Sequence, residues 1–332
     1  MLIAAQPDSR LLSEAERARI PTLALRMRGA WDLVATLRLR AMLRARPVDV
    51  VHTHSSIDSW VAGLAARSLG LAVVRSRHVS IPIPRLRAHV YRLAHRIITS
   101  GHAVARIVEG AGVPRERIVA IGPGIDTARF HPRVSGEAVR AELGLRGPTV
   151  GLVANIRGSK GHQYFLEAAC EVLRSHPDAR FLIVGDGIGF DDVRRRVSEL
   201  GLAERVIMTG FRRDVPEVMA ALDVLVLPSV KSEAMSQVIP QALAVGTPVV
   251  GTTVGGTPEL VRDGETGRLV PPADAHALAV AIGELLATPT RARELAGRGQ
   301  AEVLAQHSLD AAMRRTVAVY EAARAAARAP RS

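Results

Sequence analysis

The sequence predicts an α/β protein built from two Rossmann-like, doubly wound domains that face each other across a cleft. Three observations lead there. Short β-branched runs alternate with longer helical patterns, the signature of parallel sheets made from βαβ units. The alternation falls into two series, separated by an irregular, charged stretch over residues 126–147. The 332 residues, 48% of them hydrophobic, supply enough apolar material for two cores.

The first series reads as strands over 48–52, 71–75, 96–99 and 118–121, with helices over 59–69, 85–94 and 103–110 between them. The second reads as strands over 149–154, 180–184, 206–209, 224–227, 248–251 and 268–270. Helices over 164–175, 190–200, 215–221, 235–245 and 275–286 intervene, and the chain is helical from Arg291 to near its end, with a break at His307–Ser308. The expected domains are residues 1–145 and 146–307, with 308–332 forming a terminal helix that returns to the first. Ligands of such sheets sit outside the carboxyl ends of the strands, so sites are expected in the loops that follow them.

Composition excludes several classes. No apolar run reaches the roughly 18 residues that cross a bilayer, and the opening MLIAAQPDSR has neither the basic nor the apolar region of a secretory signal. A single cysteine, Cys170, in an apolar helical pattern, rules out an internal disulfide and reads as core. A cytoplasmic location is expected. The net charge of +12 is almost all arginine, the lysines being Lys160 and Lys231. That charge suits phosphate or an anionic membrane surface, so a peripheral position at the inner membrane face is part of the expectation. Three Tyr, five Phe and two Trp, scattered along the chain, make poor stacking platforms, and nucleic acid is not expected as a partner.

The unusual residues cluster just after strands. Val153–Gly161 carries Asn155, Arg157 and Lys160 in a glycine-containing turn before a helix, an arrangement suited to phosphate through backbone N–H groups and side-chain charge. It is neither a Walker loop nor a G-x-G-x-x-G turn. Val184-Gly-Asp-Gly-Ile-Gly189, with Gly185 and Gly187, is a turn signal that also permits close backbone approach to a ligand. Gly210, Phe211 and Arg212 follow the next strand, where they would border a flat ligand such as a base. Glu233, Ser236 and Gln241 follow the strand after that. Carboxylate and amide oxygens both accept from sugar hydroxyls, and Glu233 and Gln241 share a face if the intervening chain is helical. Gly255 and Gly256 precede a Pro-started turn whose N–H groups suit an anion, and Glu259 favours that helix start. In the first half, His52 and His54 follow one strand and His78 the next. No carboxylate or cysteine converges on them, so no metal site is assigned, and His78 is the better candidate for a sugar-hydroxyl or phosphate contact.

These pieces in this order resemble the family 4 glycosyltransferases, which have the GT-B fold. The likeness runs from about Asp49 to Tyr320 and is densest from Val150 to Pro272. It rests on GFRRDVP, ALDVLVLPS, the Ser232-Glu233 pair, QALAVGTPVVGTTVGGTPELV and GETGRLVPP taken together. The resemblance implies retaining transfer of a sugar from a UDP-, GDP- or ADP-type nucleotide-sugar, without a metal ion or other cofactor. The donor would bind the second domain and a lipid-linked or saccharide acceptor the first, in cell-envelope polysaccharide or lipopolysaccharide assembly. In that family two glutamates eight residues apart mark the donor site. Glu233 matches the first and would position the sugar, while Gln241 stands where the second would hold the ribose. An arginine and, five residues later, a lysine contact the diphosphate. Lys160 matches the lysine, Asn155 stands in the arginine's place, and Arg157 is near enough to substitute. His78 would lie close to the sugar. The family's opening strand and glycine-rich G-G-x-E loop have no counterpart before Arg10, so the first domain is expected to be incomplete, lacking its central strand. Two other readings remain: another GT-B enzyme such as a nucleotide-sugar epimerase, and a non-catalytic relative that binds nucleotide-sugar.

Overall fold

The computed structural model describes residues 1–84 and 88–329. In chain order its elements are β1 (Ile3–Ala5), α1 (Arg10–Arg17), β2 (Thr22–Ala24), α2 (Leu33–Arg44), β3 (Val50–Thr53), α3 (Ser56–Arg67), β4 (Ala72–Arg77), β5 (Arg96–Thr99), α4 (His102–Gly110), β6 (Ile118–Ala120) and α5 (Glu137–Glu142). There follow β7 (Thr149–Val153), α6 (His162–Ser175), β8 (Arg180–Val184), α7 (Phe190–Glu199), β9 (Val206–Gly210), α8 (Val215–Ala220), β10 (Val224–Leu227), α9 (Val238–Val245), β11 (Val249–Thr252), β12 (Arg268–Val270), α10 (Ala275–Ala287), α11 (Pro289–Gln306) and α12 (Leu309–Arg328).

The second half forms one parallel six-stranded sheet in the order β12-β11-β10-β7-β8-β9. Its strands are apolar on both faces because helices cover both, as parallel sheets require. On one face Val150, Leu152 and Phe181 pack under α6 and α10, with Phe165 edge-on to Phe181 at 5.8 Å between ring centres. On the other, Leu182, Leu225 and Val249 pack under α8, α9 and α11. The order reverses direction between β7 and β10, so the loops that follow these two strands diverge and leave a crevice between them.

The first half holds a parallel sheet in the order β3-β4-β5-β6. Its helix α3 starts at a full capping box, in which Ser55 and Asp58 satisfy each other's backbone N–H groups. The chain crosses back at Ser308, whose hydroxyl caps α12, and that helix lays Val319 and Ala323 on Val74 and Ile98. Tyr320 Oη meets His52 Nδ1 at 2.8 Å, and Arg324 pairs with Asp49 at 2.8 Å.

Three features differ from the sequence reading. The first 47 residues contain two strands and two helices, which were not anticipated. Strands β1 and β2 have three residues each and pair only with each other, too short a run to show a period of two. A groove of about 730 Å³ separates this pair from β3. The expected helix over 85–94 is a 3-10 turn over His89–Leu93, with Arg85–Arg87 outside the described residues. Pro82 and Pro84 bias the chain before it toward extended backbone. The helix expected from Met235 begins at Val238, because Ser236 Oγ accepts the Val238 N–H and ends the preceding loop. Among the described residues, no helix is long and apolar enough to cross a membrane.

Candidate active site

The crevice is assembled from backbone first. Ala154 N–H donates to Val184 O, Ile156 N–H to Asp186 O, and Gly185 N–H to Gly210 O, so the loops after β7, β8 and β9 are joined side by side. The loop after β7 then turns against the end of β10. Val230 N–H donates to Ser159 O, and Gly161 lies so close to Pro228 that a Cβ would stand 1.9 Å from its carbonyl oxygen. Gly161 also has a φ of 71°, the left-handed region that glycine enters at no steric cost.

This juxtaposition brings Lys160 and Glu233 together. Lys160 Nζ donates to Glu233 Oε2 at 2.5 Å, and Ser229 Oγ donates to the same oxygen at 2.9 Å. The two side chains are only 11% and 9% exposed. The pair is therefore desolvated and strongly oriented, and each partner is costly to leave alone. Ser229 is itself fixed, its carbonyl accepting from Thr252 Oγ1 at 2.6 Å. Behind the pair, Gly256 N–H donates to Glu233 O, and a Cβ on Gly255 would stand 1.8 Å from that oxygen. The two glycines thus serve to seat the Glu233 backbone. The Gly256 and Thr257 N–H groups are used within the protein rather than offered to an anion.

His162, the first residue of α6, is buried beside Lys160 with its Nε2 unpartnered among the described residues. Burial and the neighbouring ammonium lower its pKa to about 4, so it is neutral at pH 7. Across the cleft, the backbone N–H groups of His102 and Ala103 donate to Glu259, each at 2.6 Å. These are orphan donors of the first turn of α4, where a carboxylate also meets the positive helix end. Met235 packs beside Gly101 in the same region: a Cβ there would lie 2.5 Å from its methyl. Glu259 and Met235 therefore tie the second half of the chain to the first.

The other candidates are placed as follows. Asn155 stands beside Gly187, where a Cβ would approach Asn155 Oδ1 to 2.9 Å. Arg157 is exposed and lines a cavity of about 450 Å³ between α6 and α7. Phe211 is 70% exposed at the loop tip after β9, beside the open backbone of Gly210. Arg212 is committed elsewhere. Both its terminal nitrogens bond Glu142, at 2.7 and 2.8 Å, and it also pairs with Asp214, anchoring α5 to this loop. Gln241 lies half-buried in the first turn of α9. Glu233 precedes that helix, so the shared helical face expected for the two does not exist, and no hydrogen bond joins them among the described residues. His78 Nε2 meets His54 Nδ1 at 3.1 Å, and the rings stack. His52 Nε2 meets Ser76 Oγ at 2.8 Å, and burial lowers the His52 pKa to about 3. No contact links this trio to Glu233 among the described residues.

Sequence reasoning overlooked Ser229, Met235 and the bridging role of Glu259. For Ser229 the Pro-Ser pair at a strand end was a usable signal. The partners of Glu259 lie about 157 residues away in the chain and leave no local trace.

Two outcomes follow from this geometry. Lys160→Met strands a buried carboxylate and should cost about 3–5 kcal/mol of stability in urea unfolding. Adding Glu233→Gln should recover a large part of that loss, whereas simple additivity would contradict the coupling. His162 has its ordinary pKa of 6.5 when unfolded and about 4 when folded. The unfolded chain therefore binds a proton first, and stability that is constant above pH 6.5 is lost as pH falls toward 4. Measured unfolding free energies should lose about one proton's worth of this slope in His162→Gln.

Comparison with known proteins agrees with the architecture. Residues 1–129 match the family model described as glycosyltransferase family 4, and residues 147–288 that of glycosyl transferases group 1. A D-inositol 3-phosphate glycosyltransferase of Acidothermus cellulolyticus is 33% identical over 296 residues, 79% of this chain and 65% of that protein. This chain thus spans just under two thirds of that relative's length. A GDP-mannose-dependent alpha-(1-6)-phosphatidylinositol monomannoside mannosyltransferase of Mycolicibacterium smegmatis is 34% identical over 282 residues, covering 79% of this chain and 74% of that one. Among solved structures, Anabaena HepE in complex with UDP superposes with a TM-score of 0.89 at 21% identity, covering 96% of this chain and 91% of HepE. With its parallel four- and six-stranded sheets in the two halves of the chain, the chain belongs to the group 1, family 4 glycosyltransferases and has the two-domain GT-B fold.

Proposed function

We propose that the protein transfers a glycosyl group from a nucleoside-diphosphate sugar to an acceptor hydroxyl, with retention of configuration at the anomeric carbon. The observation that carries this reading is the buried Lys160–Glu233 pair at the switch point of the second sheet. An ammonium held there without solvent is placed to receive a leaving diphosphate, and stabilisation of developing charge is usually the largest catalytic contribution. When the donor binds, Lys160 Nζ exchanges a carboxylate oxygen for a phosphate oxygen. Glu233, still anchored by Ser229, then accepts from the sugar hydroxyls. The bond from the anomeric carbon to the diphosphate breaks as the bond to the acceptor oxygen forms, and the acceptor proton passes to the diphosphate.

Phe211 offers an exposed ring for the base, bordered by Gly185, Gly187 and Gly210, and Asn155 and Arg157 supply further polar contacts at the diphosphate end. The Gln241 amide oxygen accepts from a ribose hydroxyl, Ser236 lines the same loop, and Gly255 and Gly256 hold Glu233 in place. His78 contacts the acceptor side. The donor is of UDP, GDP or ADP type; HepE, a similar fold, was solved with UDP. A lipid-linked or saccharide acceptor of the cell envelope fits the basic charge, which favours an anionic inner-membrane surface. The reaction in this reading needs no metal ion.

The test is release of nucleoside diphosphate from a panel of UDP-, GDP- and ADP-sugars, with lipid extract as acceptor source. Glu233→Ala and Lys160→Ala should each lower the rate by about 10²-fold or more. EDTA should leave it unchanged, and the product should keep the donor's anomeric configuration by NMR. Full activity in both variants, or an inverted product, would overturn the reading.

A further inference from the structure

The last two outward-alternating residues of β4 on its α3 face are arginines, and they are the most anomalous charges in the first half of the chain. Arg75 is 4% exposed, and its guanidinium lies 4.1 Å over the Tyr91 ring. Arg77 Nη1 donates to Tyr91 Oη at 2.9 Å, and its Nη2 donates to Ile81 O. Three of their N–H groups remain without a partner among the described residues: Arg75 Nε, Arg75 Nη1 and Arg77 Nε, all shut away from solvent. Neither arginine has a carboxylate within ion-pair reach among the described residues. Asp58 is the acid whose charge Arg75 feels. Its oxygens are already occupied by the His54 and Ser55 N–H groups and the Ser55 hydroxyl.

The surroundings are polar, unlike the apolar face lower on the same sheet. Thr53 and Ile97 are the register neighbours of Arg75, and Thr99 that of Arg77. Thr53 and Thr99 are buried, and Ser59 Oγ donates to Thr53 Oγ1 at 3.0 Å. Burial lowers the Arg75 pKa, and Tyr91 and the more distant Asp58 offset that desolvation cost only in part. A buried and a half-buried guanidinium of like charge, with unused donors, match a multivalent anion, and paired arginine forks suit phosphate above other anions. Both residues lie at the carboxyl end of their strand, immediately before His78, where an α/β sheet presents its ligands.

We propose that Arg75 and Arg77 form a phosphate-binding subsite behind the 78–84 segment, which holds a phosphoryl group of the acceptor. The subsite itself stands apart from the catalytic reading; only the assignment of the phosphoryl group to an acceptor rests on it. Entry requires the 78–84 segment, with Val79 and Ile81 exposed, to lift and release Ile81 O from Arg77.

The experiment is a titration of the full chain with inorganic phosphate at constant ionic strength, read by thermal unfolding and by hydrogen exchange over 72–77 and 89–93. Phosphate should raise the unfolding temperature saturably. The effect should persist in Lys160→Ala, which removes the cation of the donor crevice. It should weaken at least about tenfold in Arg77→Gln, the loss expected for one charged hydrogen-bond partner. Arg77→Gln keeps the test open if Arg75→Gln does not fold. Absence of saturable stabilisation, or stabilisation lost in Lys160→Ala and kept in Arg77→Gln, would overturn the subsite. With saturating nucleotide-sugar, phosphate should compete with the lipid-extract acceptor; a non-competitive effect would overturn the assignment to the acceptor.

Discussion

A buried ion pair is the constraint around which the second half of the chain is arranged. Lys160 and Glu233 come from loops 73 residues apart, and neither is stable in its position without the other. Removing two charges from water is expensive, and close geometry with extra hydrogen bonds is what offsets that cost. Here the extra bond comes from Ser229, and the geometry comes from glycines that let Gly161 meet Pro228 and Gly255 meet Glu233. The arrangement adds little net stability over an apolar pair of the same size. Its value is chemical, since it keeps a cation and an acceptor-rich carboxylate poised in one dry place.

The sheet makes that poise possible. Apolar runs such as Val224–Leu227 and residues 181–184 fix strands that are covered on both faces and hard to displace. Flexible chemistry is thereby confined to the loops at their carboxyl ends. Backbone bonds between those loops join three of them into one unit. Glu259 and Met235 extend the unit across the cleft, so the second and first halves of the chain meet through contacts that adjoin the pair itself.

Much of this was legible in the sequence, for physical reasons that differ by region. Strands β7 to β12 were readable because parallel strands buried on both faces leave unbroken β-branched runs. Lys160 and Glu233 were readable because polar residues after such runs stand out. The opening strands were not, since three half-exposed residues carry no period. The shared face of Glu233 and Gln241 was conditional on a helix between them, and the helix begins only at Val238, where a serine side chain holds the Val238 N–H. Arg212 looked like a ligand contact, but acids at Glu142 and Asp214 hold it, and one of these lies 70 residues away. Residues whose partners are distant in sequence, Glu259 above all, could not be assigned a role from local pattern.

The central claim is that the ammonium of Lys160 changes partner when the donor arrives. A crystal structure of the chain with an intact UDP- or GDP-sugar tests it most directly. The account predicts the diphosphate within hydrogen-bond distance of Lys160 Nζ, the Lys160–Glu233 contact lengthened, and a sugar hydroxyl on Glu233, with Ser229 still bound to it. A nucleotide-sugar seated elsewhere, with the pair unbroken, would contradict it.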